Sequence, residues 1–175
     1  DKLEISPKEA VFEAREVGVD RIITISVDES SLNFVSSVVN KFSGVYGSVG
    51  FHPHDASSMT AKHEERIIKL VHEQKKLVAI GESGLDFHYM HSSAKVQREV
   101  FSKHLQIAIN LNLPFILHTR EAENDTMDIL KEFSHRPLGV AHSFTGSLRM
   151  AKKLVDMGWY IGINGIVTFK NADSL

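Results

Sequence analysis

The chain of 175 residues has no cysteine, only four prolines, a single tryptophan and no long apolar run. Without cysteine there can be no disulfide bonds and no metal sites held by thiolates, so a bound metal would need His, Asp or Glu ligands. No stretch approaches the roughly 20 apolar residues of a membrane-spanning helix. The opening DKLEISPKEA is too charged for a secretory signal. We therefore expect a cytoplasmic protein without membrane contact.

A large excess of charge is also missing. The 20 basic and 22 acidic residues give a formal net charge of −2. Proteins that coat long stretches of duplex carry a strongly basic surface, which this balance does not indicate. Phosphate recognition inside a cleft stays open, because a metal ion and one arginine can supply the positive charge there. Histidine, by contrast, is abundant, with ten residues.

Strand-like and helix-like patterns alternate along the chain. Apolar runs predict six strands, at 21–27, 45–51, 77–81, 114–118, 138–142 and 159–163. Apolar residues at helical spacing predict helices over 6–18, 31–42, 60–75, about 94–112, around 121–134 and around 147–157. This alternation indicates an α/β fold with a parallel sheet, and nothing in the composition suggests a second domain.

The predicted elements are fewer than a complete barrel needs. A (β/α)8 TIM barrel takes about 250 residues and eight strands. We therefore predict that residues 1–175 form a single metal-dependent hydrolase barrel domain, truncated at both ends. The domain would lack the first strand and one or more C-terminal strands.

Three of the predicted strands lead directly to a side chain that can bind metal. LVAIG is followed by Glu82, LPFIL by His118 and LGVA by His142. Because the carboxyl ends of barrel strands meet at the face where active sites are built, these side chains are expected to converge. Imidazole and carboxylate donors together suit Zn²⁺ or Mn²⁺, and Mg²⁺ less well. A solvated or structural role is the alternative for any one of them, and the repeated pattern disfavours it.

Four more polar residues follow two of these strands or the predicted strand at 45–51. His52 and His54, in FHPHD, are candidates for contact with a metal or a substrate oxygen, or else solvated residues of a proline-shaped loop. Arg120 offers the forked guanidinium that binds phosphate, unless it pairs with a neighbouring glutamate. Asp86 either orients a ligand or caps the next element.

The other histidines carry less information. His63, His72 and His135 are predicted to be solvated and His104 to be structural, whereas His88 and His91 lie on a loop that can edge the cleft. The sequence shows no nucleophile elbow, P-loop or Rossmann fingerprint. Metal-dependent hydrolysis is therefore the chemistry that the pattern favours.

Five stretches of the chain resemble, in order and spacing, motifs of the TatD family of metal-dependent deoxyribonucleases, which are amidohydrolase-like TIM barrels. They are SVGFHPHDA (48–56), AIGESGLDFHY (79–89), QREVFSKHLQIAINLNLPFILHTREA (97–122), GVAHSFTGS (139–147) and YIGINGIVTFKNA (160–172). Together they cover most of residues 45–172. Five linked motifs make the resemblance far more specific than any one of them would.

The resemblance implies a site for two divalent metal ions, Mg²⁺, Mn²⁺ or Zn²⁺. Glu82 is implied as a ligand that bridges both ions, and His118 and His142 as further ligands. The family's opening histidine-x-histidine pair would precede Asp1, and its late aspartate would follow Leu175. The expectation of truncation at both ends rests on this resemblance as well as on the number of predicted strands.

The resemblance also implies hydrolysis of DNA phosphodiester bonds, as an exonuclease acting on strand ends. His52 and Arg120 would be catalytic contacts to the phosphate, His54 would join them in binding substrate, and Asp86 would orient a metal ligand. A metal-dependent hydrolase of a small ester, amide or phosphoester is the first alternative. A non-catalytic remnant that binds phosphate or metal is the second. No obligate protein partner is indicated.

Overall fold

The computed structural model describes residues 5–133, 137–170 and 172. His135 and the end of the helix expected around 121–134 lie outside these ranges. The described helices are α1 (Pro7–Glu16), α2 (Glu29–Lys41), α3 (Ala61–Glu73), α4 (Ala94–Leu111), α5 (Glu123–Glu132) and α6 (Leu148–Asp156). The described strands are β1 (Ile22–Ile25), β2 (Val45–Val49), β3 (Leu77–Asp86), β4 (Phe115–Arg120), β5 (Gly139–Ala141) and β6 (Tyr160–Ile161).

The six strands form one sheet in which neighbours along the chain are also neighbours in space. Every pair, from β1–β2 to β5–β6, is parallel. Sequential order of parallel strands joined by helices is the arrangement of a (β/α)8 barrel, here with six strands among the described residues. The predicted α/β fold is therefore confirmed, and the carboxyl ends of these strands share one edge of the sheet.

The helix boundaries follow from local chemistry. Ser6 caps α1 with its hydroxyl on the Glu9 N–H, and the Glu9 carboxylate accepts from the Ser6 N–H in return. Asn112 ends α4 in the left-handed conformation (φ +52°), which asparagine tolerates better than most residues. None of the described helices is long and apolar enough to cross a membrane.

The core lies between the sheet and its helices. Phe101 of α4 packs against Phe115 of β4, with ring centroids 5.7 Å apart, and both side chains are fully buried. Trp159 extends this contact at the start of β6, 6.2 Å from the Phe115 ring. These contacts hold α4 against the centre of the sheet, next to β3 and β4.

The predicted limits of β3 and β4 were wrong. β3 does not stop before Glu82 but runs on to Asp86, and β4 runs past His118 to Arg120. After an irregularity beyond Ile80, β3 resumes parallel pairing with β4. The apolar runs LVAIG and LPFIL end before the strands do, because both strands continue through mostly polar residues to Asp86 and Arg120. The other strands are shorter than predicted, by up to two residues at an end.

Candidate metal centre and its rim

Glu82 lies at the centre of a group of imidazoles. Its Oε1 is 3.1 Å from Nδ1 of His118, and its Oε2 is 3.4 Å from Nδ1 of His142. Nε2 of His52 lies 3.1 Å from the same Nδ1 of His118. The residues lie on or shortly after four different strands, β2 to β5. The structure therefore brings together the three side chains that were expected to converge, with His52 beside them.

The register between β3 and β4 explains the position of His118. Successive side chains of a strand alternate between its faces, so Glu82, Gly84 and Asp86 point to the same side of β3. Gly84 pairs with His118 across the strands. A Cβ on Gly84 would collide with the carbonyl oxygen of His118, so only glycine allows this approach. The imidazole consequently lies between two carboxylates.

Asp86 holds the far side of that imidazole. Its Oδ2 accepts hydrogen bonds from Nε2 of His118 (3.1 Å) and Nε2 of His54 (3.0 Å). Its Oδ1 accepts from the backbone N–H groups of His88 (3.1 Å) and Tyr89 (2.9 Å). Asp86 is only 1% exposed. Asp86 thus orients a histidine with one oxygen and fixes the turn at His88 and Tyr89 with the other, whereas the next helix, α4, is capped by Ser93.

These hydrogen bonds assign the tautomers of two histidines. Because Nε2 of His118 donates to Asp86, the single lone pair of a neutral His118 is on Nδ1, which lies 3.1 Å from both Oε1 of Glu82 and Nε2 of His52. Nδ1 of His52 accepts from the backbone N–H of His54 at 3.2 Å, so the His52 proton lies on Nε2. His52 therefore donates to the Nδ1 lone pair of His118.

Burial and neighbouring groups set the charges of the site. Burial lowers the pKa of His52 to about 4, and the adjacent His118 adds to this, so His52 is neutral near pH 7. Burial opposes ionisation of Glu82, but hydrogen bonds and positive charge from His118 and His142 in their protonated forms outweigh it and lower the pKa to about 2. Burial of Asp86 is likewise outweighed, by the Tyr89 N–H and by two imidazoles, and its pKa is also about 2. Both carboxylates are ionised at neutral pH.

The donor atoms fit a divalent cation. A carboxylate oxygen and an imidazole lone pair repel each other at 3.1 Å unless a proton or a cation lies between them. Two donors that share one ion at about 2.1 Å lie roughly 3.0–3.4 Å apart, which is the spacing seen around Glu82. Nδ1 of His142 is buried and has no hydrogen-bond partner among the described residues. A cation would satisfy this atom too, whereas a proton on His118 would not.

His52 belongs to the same donor set. Within the described part of the chain, donor atoms of His52, Glu82 and His118 lie within 4.8 Å of one another. The sequence left open whether His52 contacts metal or substrate, and this position allows either. His142 is linked to the set through Glu82, whose carboxylate raises the pKa of His142.

Arg120 lies at the rim of this centre. Its guanidinium lies over the ring of Tyr89, 4.7 Å from the ring centroid. Glu121 pairs with His88 at 2.7 Å, and Glu123 accepts from Ser147. Among the described residues no carboxylate lies within ion-pair distance of Arg120. The alternative of a salt bridge to a neighbouring glutamate is therefore not what the structure shows.

Two buried polar residues of α4 hold the loops that carry the site; the sequence predicted a structural role for His104 but none for Gln97. Gln97 accepts from the Asp86 N–H at 2.7 Å and donates to the carbonyls of Asp86 (3.0 Å) and Ser92 (2.8 Å). His104 accepts from the Phe51 N–H at 3.1 Å, directly before His52. Both are fully buried. In the sequence they are recognisable as two polar residues, seven positions apart, on an otherwise apolar face of a predicted helix.

The predictions for the remaining histidines are confirmed for some residues and wrong for another. His104 is structural, as predicted. His63 is not solvated as predicted, because its ring packs 5.0 Å from that of Phe51 and is partly buried. His91 lies beside His54, with ring centroids 4.3 Å apart, and so edges the cleft together with His88.

Known proteins are similar to this chain in sequence. The model of the TatD related DNase family matches residues 1–175. The uncharacterized metal-dependent hydrolase YabD of Bacillus subtilis (strain 168) is 36% identical over 166 residues, which is 94% of this chain and 65% of YabD. The 3′-5′ ssDNA/RNA exonuclease TatD of Klebsiella pneumoniae (strain 342) is 35% identical, over 91% of this chain and 60% of that protein.

The fold agrees with these matches. The crystal structure of YjjV, a TatD homologue from Escherichia coli K12, superposes with a TM-score of 0.84 at 26% identity, covering 93% of this chain and 63% of YjjV. The chain thus spans less than two thirds of the length of these relatives. The match of the family model along its whole length shows that the chain belongs to the TatD related DNase family.

Proposed function

We propose that the chain carries most of the active site of a divalent-metal-dependent hydrolase that cleaves phosphodiester bonds at the ends of DNA strands. The observation that carries the proposal is the placement of His118 between Glu82 and Asp86, with its Nδ1 only 3.1 Å from Oε1 of Glu82. Similarity to a protein named an ssDNA/RNA exonuclease supports the substrate class. Similarity to proteins named metal-dependent hydrolases supports the chemistry. The predicted cytoplasmic location stays a prediction.

The proposed ligands are Glu82, His118 and His142. Two ions, Mg²⁺, Mn²⁺ or Zn²⁺, are proposed, because the two oxygens of Glu82 face different imidazoles and suit a bridging carboxylate. Divalent ions supply the positive charge that lowers the pKa of an attacking water and offsets the charge on the phosphoryl oxygens. Asp86 supports the set by fixing the tautomer of His118.

The other residues are proposed to bind and orient the phosphate. His52 is neutral and carries its proton on Nε2, so if a cation takes up the lone pair of His118, this N–H would be free to donate to phosphate without adding a competing cation. Arg120 has a planar guanidinium with no ionic partner in the described ranges, which leaves its N–H groups for a bidentate contact with phosphate. His54 is held by Asp86 beside this position. The phosphate would therefore lie among His52, His54 and Arg120.

The test compares wild type with Glu82→Ala. We would measure calorimetric binding of Mn²⁺ and Zn²⁺, and release of nucleotides from an end-labelled single strand. The variant is expected to lose cleavage by more than about 100-fold and to bind the ions more weakly, since a ligand matters at least as much as its supporting residues. Glu99→Ala is the matched control, because this glutamate is an exposed residue of α4. Equal cleavage by Glu82→Ala and wild type would refute the assignment.

A further inference from the structure

Tyr89 is a large aromatic residue left half exposed beside the metal centre. It is 50% exposed, although its backbone N–H is fixed to Oδ1 of the almost fully buried Asp86 at 2.9 Å. The other oxygen of this carboxylate orients His118. The tyrosine is therefore held at a defined place relative to the proposed ligands, even though it lies on a loop.

The ring of Tyr89 is framed by polar and cationic groups. The Arg120 guanidinium lies over the ring, 4.7 Å from its centroid. The rings of His54 and His88 stand nearly perpendicular to it, at 5.3 Å and 4.6 Å. In the described part of the chain the hydrophobic core does not include this ring, so core packing does not account for an aromatic residue here. A stacked guanidinium and tyrosine present a phosphate-binding group and an aromatic ring side by side.

We propose that Arg120 and Tyr89 form a nucleotide subsite, in which Arg120 binds a phosphate and Tyr89 stacks on the nucleobase next to it. The inference rests on the proposed function and adds the part of the substrate that the protein recognises beyond the phosphate. Proteins that bind single strands without sequence preference combine cationic groups with aromatic rings in this way. Every base has a π-face, so the subsite predicts binding of unpaired strands with little sequence preference.

The subsite also explains why an end of a strand would be selected. A base must be unstacked from its neighbours before it can stack on a protein ring, and unpaired ends and loops allow this. A ring fixed next to the metal centre would then place the phosphate of that nucleotide toward Arg120. The proposal therefore concerns substrate binding, and Tyr89 takes no part in bond cleavage.

The experiment uses Tyr89→Leu, Tyr89→Phe and Tyr89→Trp. Their binding to a fluorescein-labelled single strand is measured by anisotropy in the Glu82→Ala background, and their KM and kcat in the wild-type background. Each is repeated with strands that carry one abasic nucleotide at the first, second or third position from the end. Tyr160→Leu is the matched control, because Tyr160 is an exposed tyrosine of β6.

Tyr89→Leu is expected to raise Kd and KM for the intact strand by about 5- to 150-fold, the range for loss of one stacked base, with kcat little changed. Phe and Trp should retain wild-type affinity. The substitution should have no further effect on the strand whose abasic position removes the stacked base. Equal weakening for intact and all abasic strands would overturn the proposal, since Tyr89 would then serve only to hold Arg120.

The outcomes separate this inference from the proposed function. Cleavage by wild type with no effect of Tyr89→Leu refutes the subsite and leaves the hydrolase in place. Binding that depends on Tyr89 and on the base, without any cleavage by wild type, supports the subsite and refutes the hydrolase. If wild type neither binds nor cleaves the strand, both proposals fail.

Discussion

Replacing His104 with glutamine is expected to make the stability of the chain less sensitive to acid. His104 is fully buried in α4, where Nδ1–H donates to the Val100 carbonyl at 2.9 Å and Nε2 accepts from the Phe51 N–H at 3.1 Å. Both ring nitrogens are thus committed in the neutral form. A second proton would have to displace the Phe51 N–H and place a charge in the core.

The magnitude follows from the pKa of His104. Burial lowers it from an ordinary value of 6.5 to about 4. Between these values the unfolded chain binds a proton that the folded chain does not, so stability falls as the pH is lowered from about 6.5 to about 4. Below about pH 4, His104 causes no further change in stability. A difference of this size corresponds to about 3 kcal/mol.

The assay is urea unfolding in EDTA at about pH 7 and about pH 4, followed by fluorescence of Trp159. This residue is the only tryptophan of the sequence and is buried, so its emission reports on the core. Wild type is expected to lose about 3 kcal/mol more than His104→Gln between the two pH values. Contributions from the other acid-sensitive groups of the site occur in both proteins and cancel in this comparison.

His104→Leu separates the proton from the hydrogen bond. It removes the titrating group but leaves the Phe51 N–H without its partner, which is expected to cost about 1–3 kcal/mol at every pH. Glutamine can still accept from that N–H. Equal loss of stability by wild type and His104→Gln on acidification would show that His104 takes up its proton without penalty in the fold. The reasoning about its burial would then be wrong.

Two further substitutions test how the strand ends are held. Ser26→Ala removes a buried hydroxyl that both donates to the Gly50 carbonyl and accepts from the Gly50 N–H, each at 2.9 Å, and should lower the free energy of unfolding by about 1–3 kcal/mol in urea. Gly84→Ala combines a strained φ of +151° with a collision at the His118 carbonyl. It should lower stability by more than about 2 kcal/mol and weaken Mn²⁺ binding. Gly165→Ala, where a Cβ meets nothing, is the control. A free energy of unfolding equal to that of wild type in either variant would contradict this account, and so would wild-type Mn²⁺ affinity in Gly84→Ala.

The sequence was sufficient for the element order and for the group of residues that converge. Runs such as LVAIG and LPFIL are apolar because both faces of a parallel strand are buried, and this signal is local. Residues that follow such strands meet at one edge of the sheet whatever the details of packing. Glu82, His118 and His142 could be grouped on this basis before their distances were known.

The sequence did not contain the register of neighbouring strands in a readable form. That Glu82, Gly84 and Asp86 share one face follows from a period of two, but only if β3 continues through all of them. The polar residues Glu82 and Asp86 hide this continuation, because they contact His118 of the neighbouring strand rather than an apolar core. Long-range partners decide where such a strand ends.

The same limit explains why Asp86 was left undecided between capping and orienting. A single carboxylate has lone pairs for about four donors, so it can take backbone N–H groups on one oxygen and imidazoles on the other. Asp86 does both, with His88 and Tyr89 on Oδ1 and His54 and His118 on Oδ2. The rim and the candidate metal centre are therefore positioned by one buried group. A shift of the loop at Tyr89 would move the carboxylate that orients His118, which makes the loop part of the geometry of the site.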